Sequence, residues 1–356
     1  MDVYEPPRLP PPPRSVPQQT KAQGQRWWVH LTLLLLTFAS AVVANVLPRL
    51  PGHSLQSYFT TLSTHPGRLW DGVPFAVTLL AILLAHEMGH YLTARANHVD
   101  QSLPYFIPAP TLFGTLGAVI LMRTQPRDRQ VLLKVAVMGP FAGLLVALPL
   151  TAWGLAHSAL PGPVDLGGED LVFGNSLLFG LLKHWFAPND GLVELHPVAL
   201  AGWAGLFVTS INLIPAAQLD GGHVAYALLG ARQAQLSRWV VVGLVLLGTW
   251  VILDTSRPDP GLWWIVWAVL LYFIGIKHPP VRDERLPLTR TQRTAGYLAL
   301  AVFILTFTPA PIERLPDSNA DLNDEVTAPL DTPKRQPPHR RKHRPSRDLE
   351  PEEFRL

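Results

Sequence analysis

The chain contains no cysteine among its 356 residues. This absence excludes a disulfide-stapled scaffold, a cysteine-based zinc site and a thiol nucleophile. Charged residues are also scarce: they make up 15% of the chain, against about 25% in typical soluble domains. Apolar residues make up 48% and occur in long blocks. This pattern argues against an ordinary soluble enzyme, a coiled coil and a wholly disordered protein.

Seven apolar blocks are long enough, or nearly so, to cross a bilayer as helices, which takes about 20 apolar residues. These blocks leave no polar face, as expected of helices surrounded by lipid or protein. We therefore predict an all-α polytopic membrane protein with six to eight transmembrane helices and disordered termini, in which 171–186 is a candidate eighth element. The seven blocks are Trp27–Leu47, Pro74–Ala96, Val131–Ala156, Pro197–Pro215, Trp239–Leu253, Leu262–Ile276 and Ala295–Pro309.

The same pattern divides the chain into three segments. A Pro-rich cytoplasmic tail is expected over 1–26, a membrane-embedded core over 27–312 and a disordered charged tail over 313–356. The basic run at 334–347 is interpreted as part of a solvated tail, with contact to anionic lipid or nucleic acid as the alternative. No nucleic acid partner is therefore expected.

Lys and Arg are concentrated in the connecting segments that fall on the same side as the N-terminus. The positive-inside rule makes that side cytoplasmic, so we expect a multi-pass protein of the cytoplasmic membrane. Seven spans would put the C-terminal tail outside and eight would put it inside. The sequence leaves the number of spans and the side of the tail open.

The sequence H-E-x-x-H at 86–90 is the motif that points to chemistry. Residues four positions apart share a helix face, so His86 and His90 can reach one metal ion. A carboxylate at Glu87 can accept a proton from an activated water and pass it to a leaving amine. Ionisable groups inside an apolar block are costly at membrane depth, which indicates a functional site. About 18 Å of helix precedes His86, which places the site in the cytoplasmic third of the membrane.

A third metal ligand is expected at Asp220, because its segment follows the fourth predicted span on the same side of the membrane as His86. Pro215 ends that span, and Gly221 and Gly222 let the backbone turn tightly beside the carboxylate. Two imidazoles and one carboxylate, with a fourth position open to water, form a typical catalytic zinc site. Zn²⁺ is therefore the expected cofactor.

With these motifs the sequence resembles the site-2 proteases, a family of zinc metalloproteases that cut inside the membrane. It looks like the branch shared by bacteria and plastids, in a form without the PDZ domain of many relatives, for which the loop 157–196 is too short. The resemblance extends over about residues 70–300. Its motifs are Ala85–His90, Leu103–Pro108, Gly114–Ala118, Gly139–Gly143, His196–Gly202, Asn212–Gly222 and His278–Val281.

The resemblance implies a role for each candidate site residue. The zinc ligands would be His86, His90 and Asp220, and Glu87 would be the catalytic acid and base. Asn212 would contact the substrate backbone or the developing oxyanion. The implied activity is cleavage of single-span membrane proteins within the lipid bilayer, near its cytoplasmic face.

The resemblance also implies a small re-entrant β element at Phe113–Arg123. Its edge would bind an unwound substrate by strand addition, because a helical peptide hides its carbonyls from attack. A plain interfacial loop is the alternative for this segment.

Two other functions remain open on the sequence alone: a metal or ion transporter that uses the intramembrane His, Glu and Asp groups, and a non-catalytic scaffold. The pair Gly139 and Gly143 is interpreted as a helix-packing feature. The sequence identifies neither the substrate, the cut site, the regulation nor the oligomeric state. The histidines interpreted as interfacial or cap residues are His98, His184, His196, His223 and His278.

Overall fold

The computed structural model describes residues 26–50, 54–159, 171–189, 193–255 and 258–314. All of these belong to one compact unit, whereas the second unit, made of Asp165–Glu169 and Leu315–Leu356, lies outside them. The predicted tails at 1–26 and 313–356 therefore also lie outside the described residues, apart from Arg26 and 313–314.

Helices dominate the described chain, as predicted, and two short antiparallel strand pairs accompany them. The helices are α1 (Trp27–Val46), α2 (Leu55–Thr64), α3 (Val73–Ala96), α4 (Arg129–Ala156), α5 (Leu177–Phe186), α6 (Pro197–Asn212), α7 (Asp220–Leu229), α8 (Gln233–Thr255), α9 (Pro258–Ile274) and α10 (Arg290–Thr306). The strands are β1 (Tyr105–Pro108), β2 (Thr115–Val119), β3 (Leu171–Phe173) and β4 (Ile312–Arg314).

Four helical stretches are long and apolar enough to cross a membrane: Trp27–Arg49, Pro66–Ala96, Arg129–Ala156 and Asp220–Asp254. Each of the seven predicted blocks is helical, but α6 and the apolar part of α9 are shorter than a full span. Helix α10 carries Arg290 and Arg293 near its start. Helix length and composition therefore establish four candidate spans and not the predicted six to eight.

The candidate eighth element at 171–186 is not a continuous helix. Its first residues form β3, which pairs with β4, and only α5 follows. Ser176 begins α5 by accepting a hydrogen bond from the backbone N–H of Phe179. Ten residues of helix extend about 15 Å, half the thickness of the hydrocarbon layer. This element is too short to cross the membrane.

Large apolar side chains are exposed along the outer helices. Leu253 is 75% exposed on α8 and Phe273 is 80% exposed on α9. Exposed side chains of this kind are costly in water but favourable in contact with lipid tails. Trp27 and Trp28, at the start of α1, are also exposed, which suits the aromatic belt of a membrane interface.

Helices α3, α4 and α6 form the centre of the bundle. They contribute most of the fully buried side chains, among them Leu79, Ile82 and Trp203. The ring of Trp203 packs against three phenylalanines, and its indole N–H donates to the carbonyl of Gly174 at 2.7 Å. The buried indole therefore has a partner for its polar atom.

The segment expected to form a β element, Phe113–Arg123, contains β2, and its partner strand β1 lies upstream of that range. Strands β1 and β2 pair in an antiparallel hairpin that lies alongside α1. One end is anchored by His30, whose ring nitrogen contacts the carbonyl of Pro104, and the other by Ser40, which donates to the carbonyl of Ala109. His30 and Ser40 are ten residues apart on α1, so the hairpin extends about 15 Å along that helix.

The tip of the hairpin packs on the backbone of α1 at Gly114. This residue has a φ of +73°, and a Cβ atom there would lie 2.5 Å from backbone atoms of Ala41. Only glycine combines that dihedral with that close an approach. The hairpin therefore lies beside α1 between its two ends.

Candidate metal centre

His86 and His90 lie one turn apart in the second half of α3 and are both buried. Asp220 is the first residue of α7, on a segment more than a hundred residues further along the chain. The Nε2 atoms of both histidines lie 3.1 Å from Oδ2 of Asp220, and they lie 3.2 Å from each other. The structure therefore brings together the three side chains expected to be ligands.

This donor set fits a zinc ion. Tetrahedral coordination with bonds of 2.0–2.1 Å places ligand atoms about 3.3 Å apart, close to the separations of these three atoms. Imidazole nitrogen and carboxylate oxygen are both ligands that zinc accepts, and three protein ligands leave a fourth position open. Among the described residues, His86, His90 and Asp220 form the one group of this kind.

The ring of His90 is held by a backbone carbonyl. Its Nδ1 lies 2.8 Å from the carbonyl oxygen of Val135 on α4. A carbonyl can only accept, so Nδ1 carries the hydrogen and Nε2 of the neutral ring is left with its lone pair toward the cluster. This outer contact fixes both the tautomer and the orientation of the ligand.

Helices α3 and α4 approach closely enough for this contact because glycines face each other across them. A Cβ atom on Gly89 would lie 2.3 Å from the carbonyl oxygen of Met138, and one on Gly139 would lie 2.1 Å from Nε2 of His90. Gly143 lies against His86 in the same way, at 3.1 Å from its Cβ. The predicted packing pair therefore packs on the two candidate ligands themselves.

A compact turn between α6 and α7 positions Asp220. Ala217 in this turn has a φ of +54°. Its N–H donates to Ser237 and its carbonyl accepts from Gln233, both from α8. Gly221 and Gly222 are helical and allow close packing, since added Cβ atoms would lie within 2.4 Å of turn carbonyls. The prediction that these glycines make the turn itself was wrong.

Glu87 and Asn212 line the same cleft as the three candidate ligands. Glu87 is buried, and its carboxylate has no hydrogen-bond partner among the described residues. The amide nitrogen of Asn212, the last residue of α6, lies 3.4 Å from Nε2 of His86. The cleft measures about 220 Å³, enough for several water molecules at about 30 Å³ each.

Residues Ala118–Ile120, in β2 and just after it, form a further part of the lining, together with the buried Gln101. Among the described residues β2 pairs with β1 alone, so its other edge is unpaired. No sequence pattern marks Gln101 as a site residue. A lone glutamine between two elements is recognisable as part of a site only after the hairpin has folded beside α3.

His223 lines this cleft and contacts His278, with ring nitrogens 2.6 Å apart. Neither belongs to the metal-ligand group. His196 caps α6, because its ring nitrogen accepts a hydrogen bond from the N–H of Val198. This agrees with its interpretation as a cap residue. The contact between His223 and His278 was missed by sequence reasoning, because 55 residues separate them along the chain.

The five candidate site residues lie within a region that matches a known protein family. A family model described as peptidase family M50 matches residues 74–253, which is half of the chain and includes all five candidate site residues. The chain belongs to peptidase family M50. The expected membership of the site-2 protease family is thereby confirmed. No solved structure matches the chain.

Two curated relatives of this M50 chain are plant proteins. It is 33% identical over 239 residues to "Probable zinc metalloprotease EGY1, chloroplastic" of Arabidopsis thaliana, covering 62% of this chain and 43% of the relative. It is 31% identical over 300 residues to "Probable zinc metalloprotease EGY2, chloroplastic" of Oryza sativa subsp. indica, covering 83% and 51%. The chain thus spans about half the length of these relatives. Both relatives are named as zinc metalloproteases, so neither name supports the transporter or the scaffold alternative.

We expect the purified M50 chain to bind close to one zinc ion, because three donors converge within 3.2 Å. His90→Ala removes one donor, and Asp220→Asn replaces a charged carboxylate by a neutral amide, so each should lower zinc affinity at least about tenfold. Metal content per chain, measured by plasma mass spectrometry after dialysis, checks this. The control is His157→Ala, which should keep the zinc. His157 follows the C-terminal end of α4, whereas Val135, which contacts His90, lies near the start of that helix. Full occupancy in both ligand variants would contradict the assignment.

A second expectation concerns Gly139. The methyl group of Gly139→Ala must displace the ring of His90 from its place, so zinc affinity should fall about tenfold or more while the fold persists. Gly243→Ala on α8 is the matched control, because nothing lies within 4 Å of the added atom. Zinc titration and thermal unfolding in detergent separate metal loss from unfolding. Equal zinc affinity in both variants would show that Gly139 does not act through His90.

Proposed function

We propose that this protein is an intramembrane zinc endopeptidase that cleaves transmembrane segments of other membrane proteins. The observation that carries the proposal is the joint placement of two imidazoles, one aspartate and a free glutamate in one cleft between apolar helices. The names of the plant relatives support the same activity.

Each candidate site residue has a role in this proposal. His86, His90 and Asp220 would hold the zinc ion, which would act as a Lewis acid and make water nucleophilic near neutral pH. Glu87 accepts the proton of the attacking water and passes it to the leaving amine. Its carboxylate suits this role because no described residue occupies it with a hydrogen bond.

Asn212 is proposed to stabilise the reacting carbonyl. Its amide N–H groups are donors at the end of α6, beside His86. A donor at that place can hold the oxygen that gains negative charge during attack, an interaction of the oxyanion-hole type. The amide can also bind the neighbouring substrate backbone.

The substrate segment is proposed to bind as an extended chain along the unpaired edge of β2. A transmembrane helix satisfies its own backbone groups and shields its carbonyls, so it has to unwind before it can be cut. Strand addition compensates for the broken helical hydrogen bonds. Residues Ala118–Ile120 support this arrangement because they line the cleft that contains Glu87.

The chain is proposed to cross the membrane six to eight times, with the shorter helices α6, α9 and α10 added to the four long spans. The N-terminal tail and the active site lie on the cytoplasmic side of the cell membrane in this proposal, and single-span membrane proteins are the partners. The domain division at 1–26, 27–312 and 313–356 is proposed with one adjustment. The core extends to Arg314, because β4 includes it.

Glu87→Gln should abolish cleavage, because the glutamine amide cannot accept the proton of the attacking water. Zinc binding should stay intact, because Glu87 is not one of the proposed ligands. Membranes of cells that express this variant should accumulate uncut single-span proteins that the wild type shortens. Quantitative mass spectrometry of membrane peptides, together with zinc analysis, checks both parts. Glu194→Gln, outside the cleft lining, is the control and should cleave normally. Unchanged cleavage in Glu87→Gln would refute the mechanism.

The absence of cysteine permits a direct test of the membrane orientation. Single cysteines at Arg285 and Gln56, both exposed, should react with a membrane-impermeant maleimide from opposite sides. We expect Arg285→Cys to be labelled only in inside-out vesicles and Gln56→Cys only in intact cells. The cysteine-free chain gives no background. Labelling of Arg285→Cys in intact cells would reverse the proposed orientation.

A further inference from the structure

A histidine outside the candidate metal-ligand group lines the cleft and contacts a second histidine. His223 lies one turn after Asp220 on α7 and contributes to the lining. Its Nδ1 lies 2.6 Å from Nε2 of His278, which follows α9. Neither residue has a part in the mechanism proposed above, although the pair is as closely connected as any polar contact in the site.

The hydrogen-bond partners of the pair define its tautomers. Nδ1 of His278 lies 2.5 Å from the carbonyl oxygen of Pro279, which can only accept, so this nitrogen carries a hydrogen. Burial lowers the pKa of His278, which favours its neutral ring. Nε2 of His278 then accepts, and Nδ1 of His223 donates to it. Nε2 of a neutral His223 consequently has no hydrogen and remains an acceptor.

This remaining nitrogen of His223 has no partner among the described residues. A bare acceptor beside a membrane-embedded cleft is costly unless a ligand or water supplies a donor. Because His223 lines the cleft, water or a peptide bound there can supply that donor.

His278 is itself held in a firmly anchored segment. The ring of Tyr226 stacks on it with centroids 4.2 Å apart, and the hydroxyl of Tyr226 donates to Glu284 at 2.5 Å. Further along, the backbone N–H groups of Arg282 and Asp283 bond to carbonyls just before α4. The position of His278 is therefore fixed by α7 and by the start of α4 together.

An extended peptide in the cleft has two edges, and both carry backbone N–H and C=O groups. One edge can pair with β2. The groups on the other edge face away from β2 and need partners on the remaining walls, because unpaired backbone groups cost several kcal/mol away from water. The α6–α7 wall offers the amides of Asn212 and Gln218 and the acceptor nitrogen of His223.

We infer that Nε2 of His223 accepts a hydrogen bond from a backbone N–H of the extended substrate, and that His278 is a positioning residue that fixes the ring and tautomer of His223. This inference rests on the proposed function, since it concerns the substrate of the same cleft. It adds a sequence-independent contact on the edge opposite β2.

The test uses the full-length chain in lipid nanodiscs and a synthetic single-span peptide that the wild type cleaves. Binding is measured in the uncut state, with Glu87→Gln present in every variant. Adding His223→Ala should weaken binding about fivefold, the effect of one lost hydrogen bond. Adding His157→Ala should change nothing. Zinc content should be the same in all variants, because His223 is not a ligand.

Amide-to-ester replacement in the peptide identifies the donor. An ester removes one backbone N–H at a time, and at one position it should weaken binding to Glu87→Gln about fivefold. The same ester should have no effect once His223→Ala is also present, because the bond is already lost. If every ester that weakens binding to Glu87→Gln also weakens binding when His223→Ala is present, His223 does not accept a substrate N–H.

The role of His278 is tested by non-additivity. His278→Leu should weaken binding by itself but cause no further loss when combined with His223→Ala. His278→Gln should bind nearly normally, because its amide oxygen can still accept from Nδ1 of His223. Additive losses would show a separate structural effect and refute the positioning role.

The two proposals fail in different ways. If the wild type cleaves no single-span peptide while zinc is bound, the proposed function fails and the inference fails with it. If the wild type cleaves the peptide but His223→Ala leaves binding unchanged, only the inference is overturned.

Discussion

The convergence of two imidazoles and one carboxylate on a single point inside a bundle of apolar helices is the constraint that shapes this structure. The three candidate ligand atoms come from α3 and α7, and they lie within 3.2 Å of one another. Such a cluster is tolerated in a low-dielectric interior only when the groups compensate each other or bind a cation. The close contact of α3 with α4 and the turn before α7 both serve to hold these atoms at that spacing.

Two irregular segments beside the cleft have hydrogen-bond partners for their backbone groups. Helix α6 ends at Asn212, and Ala217 in the turn that follows donates a hydrogen bond to Ser237 and accepts one from Gln233, both on α8. The hairpin of β1 and β2 satisfies its groups by strand pairing and by contacts to α1. Irregular backbone at membrane depth is viable where it is covered by protein or borders a wet cavity. Both interruptions here border the cleft.

The sequence predicts the parts of the site that follow from local periodicity. His86 and His90 share a helix face because they are four residues apart, and the proximity of Asp220 follows from counting spans to the same side of the membrane. Membership of the family was also predictable, because its motifs are spread over most of the core.

The remaining parts depend on how helices rotate and pack. Gly139 was predicted to be a packing residue, but its contact with the ring of His90 follows from the rotation of α4 against α3. The pairing of His223 with His278 depends on where the segment after α9 crosses the bundle. The short α5 was ambiguous because its apolar composition resembles that of a span while its length does not. Packing of this kind has no local sequence signature.

A cleft that cuts unwound helices has to bind backbone more than side chains. The lining on the hairpin side is formed by Ala118, Val119 and Ile120, which offer small or aliphatic surfaces and no charge. On the opposite side the polar groups are amides and imidazoles, which suit peptide N–H and C=O groups. Under the proposed function, the energy needed to unwind a segment then contributes more to selection than its side-chain sequence does. Because helix-breaking residues lower that energy, discrimination among substrates would follow from the local stability of their helices.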